Sequence, residues 1–578
     1  MTGPQAKSLI ESALSFSRQG QWSEALDKAE TAVSLYRVLA EEQSSAFNPG
    51  LAEALDILAN ILSEIGEKEK ALAFAEEALA LRRVLADSGS DTFIADLAFS
   101  LNTYATCLGE LGHCRGALIP AREAVQNYRL LTARQPHRFA PALAMALNNL
   151  ANRLSELGQR EEALTFAQEA AALYRQLADV LPNRFMPDLA GSLNNLSNRL
   201  SALGQREEAL TVMQESVAFY KDLSAHQPEL FTPALATALN NLANKLNDLG
   251  RRDEALEAAQ ESVTHFRFLT AARPQAFTPQ LAMALNSLSN RLRDIGQREE
   301  ALTQAQESVA LRRRLTASQP DVYQQDLAVS LNTLANSLSA LNRPEQALTA
   351  TQEAVAIRRS LVKTRPEVFT QDLAASLNTL ANNLSALGYY EEALVAAEEA
   401  VSLRRTLAAG YPDVFIPNLA GSLNTLANRL SDLERVEEAL VAAREAAQLY
   451  RALAANRPAA FTHHLAGSLN NLANRLSHIG QHECALAPAK EAVNLYRDLA
   501  ENRPQTFTAD LALALNTLAN ILNKTGQKEE ALAAANLYRT LAAAHTKVFD
   551  PHHIASLNTL TEMIGPLPSN RVEWQDHG

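Results

Sequence analysis

TPALATALNNLANKLNDLGRRDEALEAAQESVTHFRFLTAARP, residues 232–274, is one copy of a unit that fills almost the whole 578-residue chain. The leucine ahead of its first asparagine, Leu239, returns every 46 residues from Leu9 to Leu515, and once more, 42 residues on, at Leu557. An alanine stands 16 residues after each of the first twelve, from Ala25 to Ala531. A fixed period of this length marks a repeat architecture, in which no unit can bury its apolar face without its neighbours. The expected fold is therefore all-α: twelve antiparallel helix pairs and one closing helix. The 4-residue loss near Ala535 is about one helical turn and should shorten that helix while keeping its buried face in place.

Within the unit, Thr232 and Pro233 read as the start of helix A, which the leucines 235, 239, 242, 246 and 249 carry as one apolar stripe to Leu249. Gly250 ends it in a left-handed conformation. Asn342 replaces that glycine once, which the geometry tolerates, and Glu434 once, where strain is expected. Helix B is expected over Asp253–Ala271. Its small-residue stripe Ala255, Ala259 and Ser262 permits close approach of the paired helix, and Val263, Phe266 and Leu269 extend the apolar face. Pro274 and its copies should stop the helix, leaving Phe277 and its copies as apolar plugs in the connections.

Composition narrows the function. A net charge of −13 disfavours bulk attraction to nucleic acid or an anionic membrane. Three cysteines argue against a disulfide framework. No apolar segment approaches the ~20 residues that span a bilayer. The N-terminus has no basic run followed by an apolar one, so no signal peptide is expected, and the cytoplasm is the expected location.

The pattern resembles the tetratricopeptide repeat family, on Leu242, Ala243, Leu246, Gly250, Ala255, Ala259 and Ser262, repeated over roughly residues 5–565. The long period is similar to the kinesin-light-chain-like subgroup, although that subgroup's acidic Gly–His–Pro connection is absent. Arg267 stands where the family ends helix B with proline, and leucines replace the family's helix A aromatics. The resemblance implies a right-handed superhelix, an α-solenoid with helix A on its concave face, and a protein-interaction role.

Helix A carries two asparagine rows four residues apart, hence on one face. The first includes Asn148, Asn194, Asn240, Asn286, Asn332, Asn378, Asn424 and Asn470; the second, Asn152, Asn198, Asn244, Asn290, Asn336, Asn382, Asn428 and Asn474. Asparagine costs on the order of 0.6 kcal/mol against alanine in a helix interior, so some side-chain role must offset two such rows. The resemblance implies a groove in which these amides grip the backbone of an extended peptide, each offering donors and an acceptor. The alternative is that neighbouring amides bond one another and staple successive A helices; both can hold at different copies. Helix A cations that follow the second row, Arg291, Arg429 and Arg475 above all, suit an anionic peptide. A further basic row late in helix B, from Arg37 through Arg267 to Arg539, is expected to pair with glutamates such as Glu261 or with helix carbonyls, not with a nucleic-acid backbone.

Catalytic motifs are absent: no phosphate-binding loop, nucleophile elbow or zincin pair occurs. Cys107 with His113–Cys114, and His482 with Cys484, lack four-ligand spacing, so neither a metal nor any other cofactor is expected. His463–His464 and His552–His553 read as solvated turn residues. The first unit has Ile10 and Leu14 in place of the amides, so the N-terminal end is either capped or meets another chain; self-association through the array ends is the alternative use of the scaffold, and sensing of a small peptide or ligand a third. Residues 566–578, with Trp574, read as a disordered tail. The expectation is a non-enzymatic scaffold that binds an extended protein segment.

Overall fold

The computed structural model describes residues 3–87 and 89–544. Among these the chain is 24 α-helices in succession with no strand, that is, twelve A–B pairs, the odd-numbered helices being A and the even-numbered B. Nearly all are 21 residues long. The closing helix around Leu557, the His552–His553 pair, Trp574 and the C-terminal limit of the repeat domain lie outside the described residues.

Helix A starts earlier than its sequence suggests. In the quoted unit α11 spans Pro228–Asp248, with Gln227 as N-cap, and α13 starts at Pro274. The prolines expected to stop helix B thus open the next helix A. Proline is suited to the first helical position, where its missing N–H costs nothing, and it forces the residue before it out of the helical region. Arg273 obeys this, at φ −138° and ψ 78°. Thr232 is consequently an interior residue, and Pro233 sits inside the helix. The recurrent phenylalanines belong to the first turn of helix A, not to the connection, and several are buried, among them Phe139, Phe185, Phe369 and Phe507. They pack, as expected of them.

Helix B matches its pattern closely; α12 spans Arg252–Ala272. Ala255, Ala259 and Phe266 are fully buried. Ser262 ties the pair together, its Oγ donating to the Ala236 carbonyl of the paired helix A at 2.7 Å. Ser216 and Ser308 do the same in their units. The last helix, α24 (Lys528–Ala544), keeps its apolar face through the deletion, with Tyr538 buried.

The A-to-B turn is left-handed throughout. Gly250 has φ +76°, and the Arg251 N–H bonds the Leu246 carbonyl. Asn342 and Glu434 are the only described non-glycine residues at positive φ, at 56° and 58°.

Where alternate helices approach closely, they are A helices. The A helices therefore form the tighter, inner layer of the superhelix and the B helices the outer one. The superhelix is wound so tightly that its turns touch. Gly20 lies against Ala276, Gly66 against Val322, Gly112 against Val368, Gly158 against Val414, Gly204 against Ala460 and Gly250 against Thr506. Every pair is 256 residues apart, a little over five and a half units. Polar contacts join the same edges: Arg115 Nη2 donates to the Gly410 carbonyl at 2.8 Å and Arg160 Nη1 to that of Asp413 at 3.1 Å. Each apolar cluster, by contrast, stays within a few neighbouring units.

Candidate functional site

The inner wall is built from the one face of each A helix that no neighbour covers. In α15 (Pro320–Ala340) that face shows Val329 and Asn336; in other units Phe99, Met283 and Leu513 occupy the position of Val329. Asn336 belongs to the second asparagine row. Asn382 and Asn474 of that row are likewise exposed, and Asn152, Asn198, Asn244, Asn290 and Asn428 are half-buried.

The first row is turned sideways, toward the next unit. Asn286 Nδ2 donates to Ser330 Oγ, Asn332 to Ser376 and Asn378 to Ser422, each at 2.8 Å. Ser192 and Ser468 donate to the Asn148 and Asn424 carbonyl oxygens at 3.3 and 3.2 Å. Asp56, which holds the row's place in the second unit, accepts from Ser100 at 2.6 Å. In every case the serine stands 44 residues ahead and is buried. Where that position holds alanine instead, no such bond exists. Asn194 then accepts from Asn241 at 2.9 Å. Asn102, with alanine likewise at that position, keeps both amide atoms buried without a partner. The carbonyl oxygens of Asn240 and Asn470 are unpartnered as well, as are those of Asn286, Asn332 and Asn378, whose amide nitrogens alone are bonded. Sequence reasoning found the asparagines and overlooked these serines, although their constant offset is visible in the repeat.

The helix A arginines are also engaged within the protein. Arg291 pairs with Asp294 at 3.4 Å and Arg429 with Asp432 at 3.0 Å, their side chains only 12% exposed. Arg429 further donates to Asn382 Oδ1 at 3.2 Å, and Arg475 to Asn428 Oδ1 at 2.8 Å. Burial pulls all three guanidinium pKa values down, and the neighbouring aspartates oppose that shift. On the outer face, ten residues of the late helix B row pair with a glutamate 40 residues on, from Arg37–Glu77 through Lys221–Glu261 to Arg451–Glu491. That row is occupied along the helices.

One stretch of wall differs from the rest. His463 and His464 lie inside α21 (Pro458–His478), not in a turn. The His464 ring stacks on Tyr450 at 5.3 Å, and burial pushes His463 down to about 3, so both rings are neutral near pH 7. With Tyr496, Asn470 and Asp510 they border a cavity of about 360 Å³ beside Gly467. No group of three or more His, Cys, Asp or Glu among the described residues could hold a metal ion. Cys107 is buried, its thiol pushed up to about 12 by that burial, so it is a poor nucleophile. No described helix is long and apolar enough to cross a membrane. What the wall offers is a periodic lining of amides with apolar side chains between them.

The family model described as tetratricopeptide repeat matches residues 51–89, 143–179, 189–224, 235–264, 281–317, 327–366, 373–408, 419–455 and 465–502. No curated protein matches the chain. Among solved structures, BtubC (BKLC) from P. vanneervenii is similar over 48% of this chain and 99% of its own, at 19% identity and TM-score 0.36. A putative kinesin light chain of Podosopora anserina, with nearly identical TPR-like repeats, is similar over 39% of this chain and 98% of its own, at 20% identity and TM-score 0.29. Yeast Tom70 is similar over 96% of this chain and 95% of its own, at 13% identity and TM-score 0.39.

Proposed function

Because this chain belongs to the tetratricopeptide repeat family, whose members are protein-interaction scaffolds, we propose that it binds an extended polypeptide segment along its inner wall through the second asparagine row. The observation that carries this reading is the division of labour between the rows. The first turns sideways into bonds between units, and the second faces the interior with much of its hydrogen-bonding capacity free. An amide donates and accepts, so a column of them can pair with a peptide backbone whatever its side chains are. Arg291, Arg429 and Arg475 have intramolecular partners, so in this reading they position the wall and add positive potential for an acidic segment; they are not free hooks. The repeat domain is proposed to extend over residues 5–565.

An array of synthetic 15-residue peptides tests this. The chain should retain a subset of peptides. Asn290→Ala, Asn336→Ala, Asn382→Ala and Asn474→Ala combined should lower that retention at least tenfold while the melting temperature stays within a few degrees. Unchanged retention would sink the proposal. A drop in retention matched by a collapse in melting temperature would mean that the second row staples the array as the first does.

A further inference from the structure

We propose that the inner wall is not an open groove but a closed bore one extended chain wide, and that the partner segment is encircled by it; this rests on the reading that the wall binds a polypeptide. The carrying observation is the edge along which successive superhelical turns meet. The glycine after each A helix of the first turn lies against the first residues of an A helix in the next, as with Gly66 on Val322 and Gly158 on Val414. The A helices thus stack end to end, like staves, at six successive edges.

The width of the bore follows from the winding. Six A helices complete a turn, since Gly20, just past the first A helix, meets Ala276 at the start of the seventh. At an interaxial spacing of about 9–10 Å the axes of six helices lie on a circle of radius about 9–10 Å. An α-helix with its side chains is about 10–12 Å across, so the opening left is roughly 6–10 Å. That admits one extended backbone, since neighbouring strands sit about 4.8 Å apart. It excludes an α-helix. The second amide row faces this bore, and wall residues such as Val329 and Asn336 remain accessible to solvent.

Contacts along the edge are those of an interface that can part. Arg115 and Arg160 bond backbone carbonyls, His113 stands 3.4 Å from Glu367, and among the described residues no apolar cluster crosses from one turn to the other. A segment in the middle of a chain would enter when the edge opens, and a free end would enter by threading.

The test locks the edge and measures access. In a Cys107→Ser, Cys114→Ser background, Gly20→Cys with Ala276→Cys would place the two Cβ atoms 3.8 Å apart, a disulfide distance. Asn336→Cys reports on the bore, and the native exposed Cys484 on the outside. N-ethylmaleimide should label both positions. A maleimide on a rigid dendrimer wider than an α-helix should label Cys484 and react at least a hundredfold more slowly at the bore of the locked chain. Equal labelling of both positions by the dendrimer would overturn the closed bore. The Gly20→Cys variant places a side chain at positive φ, so small-angle scattering of the unsubstituted chain provides a second reading. A compact two-layer cylinder supports the inference, and an open spiral refutes it. A pool of linear 15-residue peptides and its head-to-tail cyclised counterpart address the partner. The locked chain should retain only linear members. Equal retention of cyclic members would end the encirclement, whereas a closed bore that retains neither pool would end the polypeptide reading instead.

Discussion

Asp56 shows how much one atom matters in the first amide row. It occupies an asparagine's place, is fully buried, and has one carboxylate oxygen without a partner. Burial, chiefly, raises its pKa to about 7. A folded-state value above the unfolded one (about 3.9) means that the folded protein holds the proton more tightly. The cost of the charge is then absent below about pH 4, grows as pH rises, and is complete above about pH 7. Asp56→Asn should therefore stabilise the chain by roughly 2–4 kcal/mol at pH 8 and by nothing at pH 4, as read by urea denaturation. A uniform gain at both pH values would contradict the assignment. Glu434 is the second such site. A glutamate at φ +58° carries a penalty that glycine does not, so Glu434→Gly should raise stability by about 1 kcal/mol in the same measurement. The asparagines were legible in the sequence as a costly, periodic choice. Their direction was not, because a 3.6-residue period places Asn286 and Asn290 on one face and cannot say which of them meets Ser330.

At the level of elements, the apolar stripes predicted every described helix, and the departures came from proline. Pro228 and Pro274 read equally well as stops and starts, and only the packed array shows that helix A uses them as its first residue. The serine staples also act between elements. Ser330 accepts from Asn286 and bonds Ser308, which in turn holds the Ala282 carbonyl of α13 (Pro274–Asp294). Ser330→Ala should cost about 1–3 kcal/mol, because it leaves a buried amide donor unsatisfied. Ser318→Ala, at an exposed helix end, should stay within about 0.5 kcal/mol in the same melting experiment. The outer arginine–glutamate pairs, half-exposed, should matter less individually. Arg267→Ala should change stability by less than about 1 kcal/mol, and by still less in 1 M salt.

For the whole molecule, stability should behave as a sum over units and their interfaces. Because no apolar cluster joins the two turns, a fragment of residues 1–272, ending with α12, should fold alone with the helix content per residue of the full chain. Its melting temperature should be lower, since fewer interfaces remain; a largely unfolded fragment by circular dichroism would show that the contact between turns carries the stability. The helix pairs, the left-handed turns and the repeated amides can all be read from the order of residues, because each depends on spacing and local conformational preference within 46 residues. Which amide row faces inward, where the helix A arginines find their partners, and that Gly20 meets Ala276 emerge only once the units are packed. Those outcomes depend on the small rotation between neighbouring units, which accumulates over more than five of them and leaves no trace in any single copy.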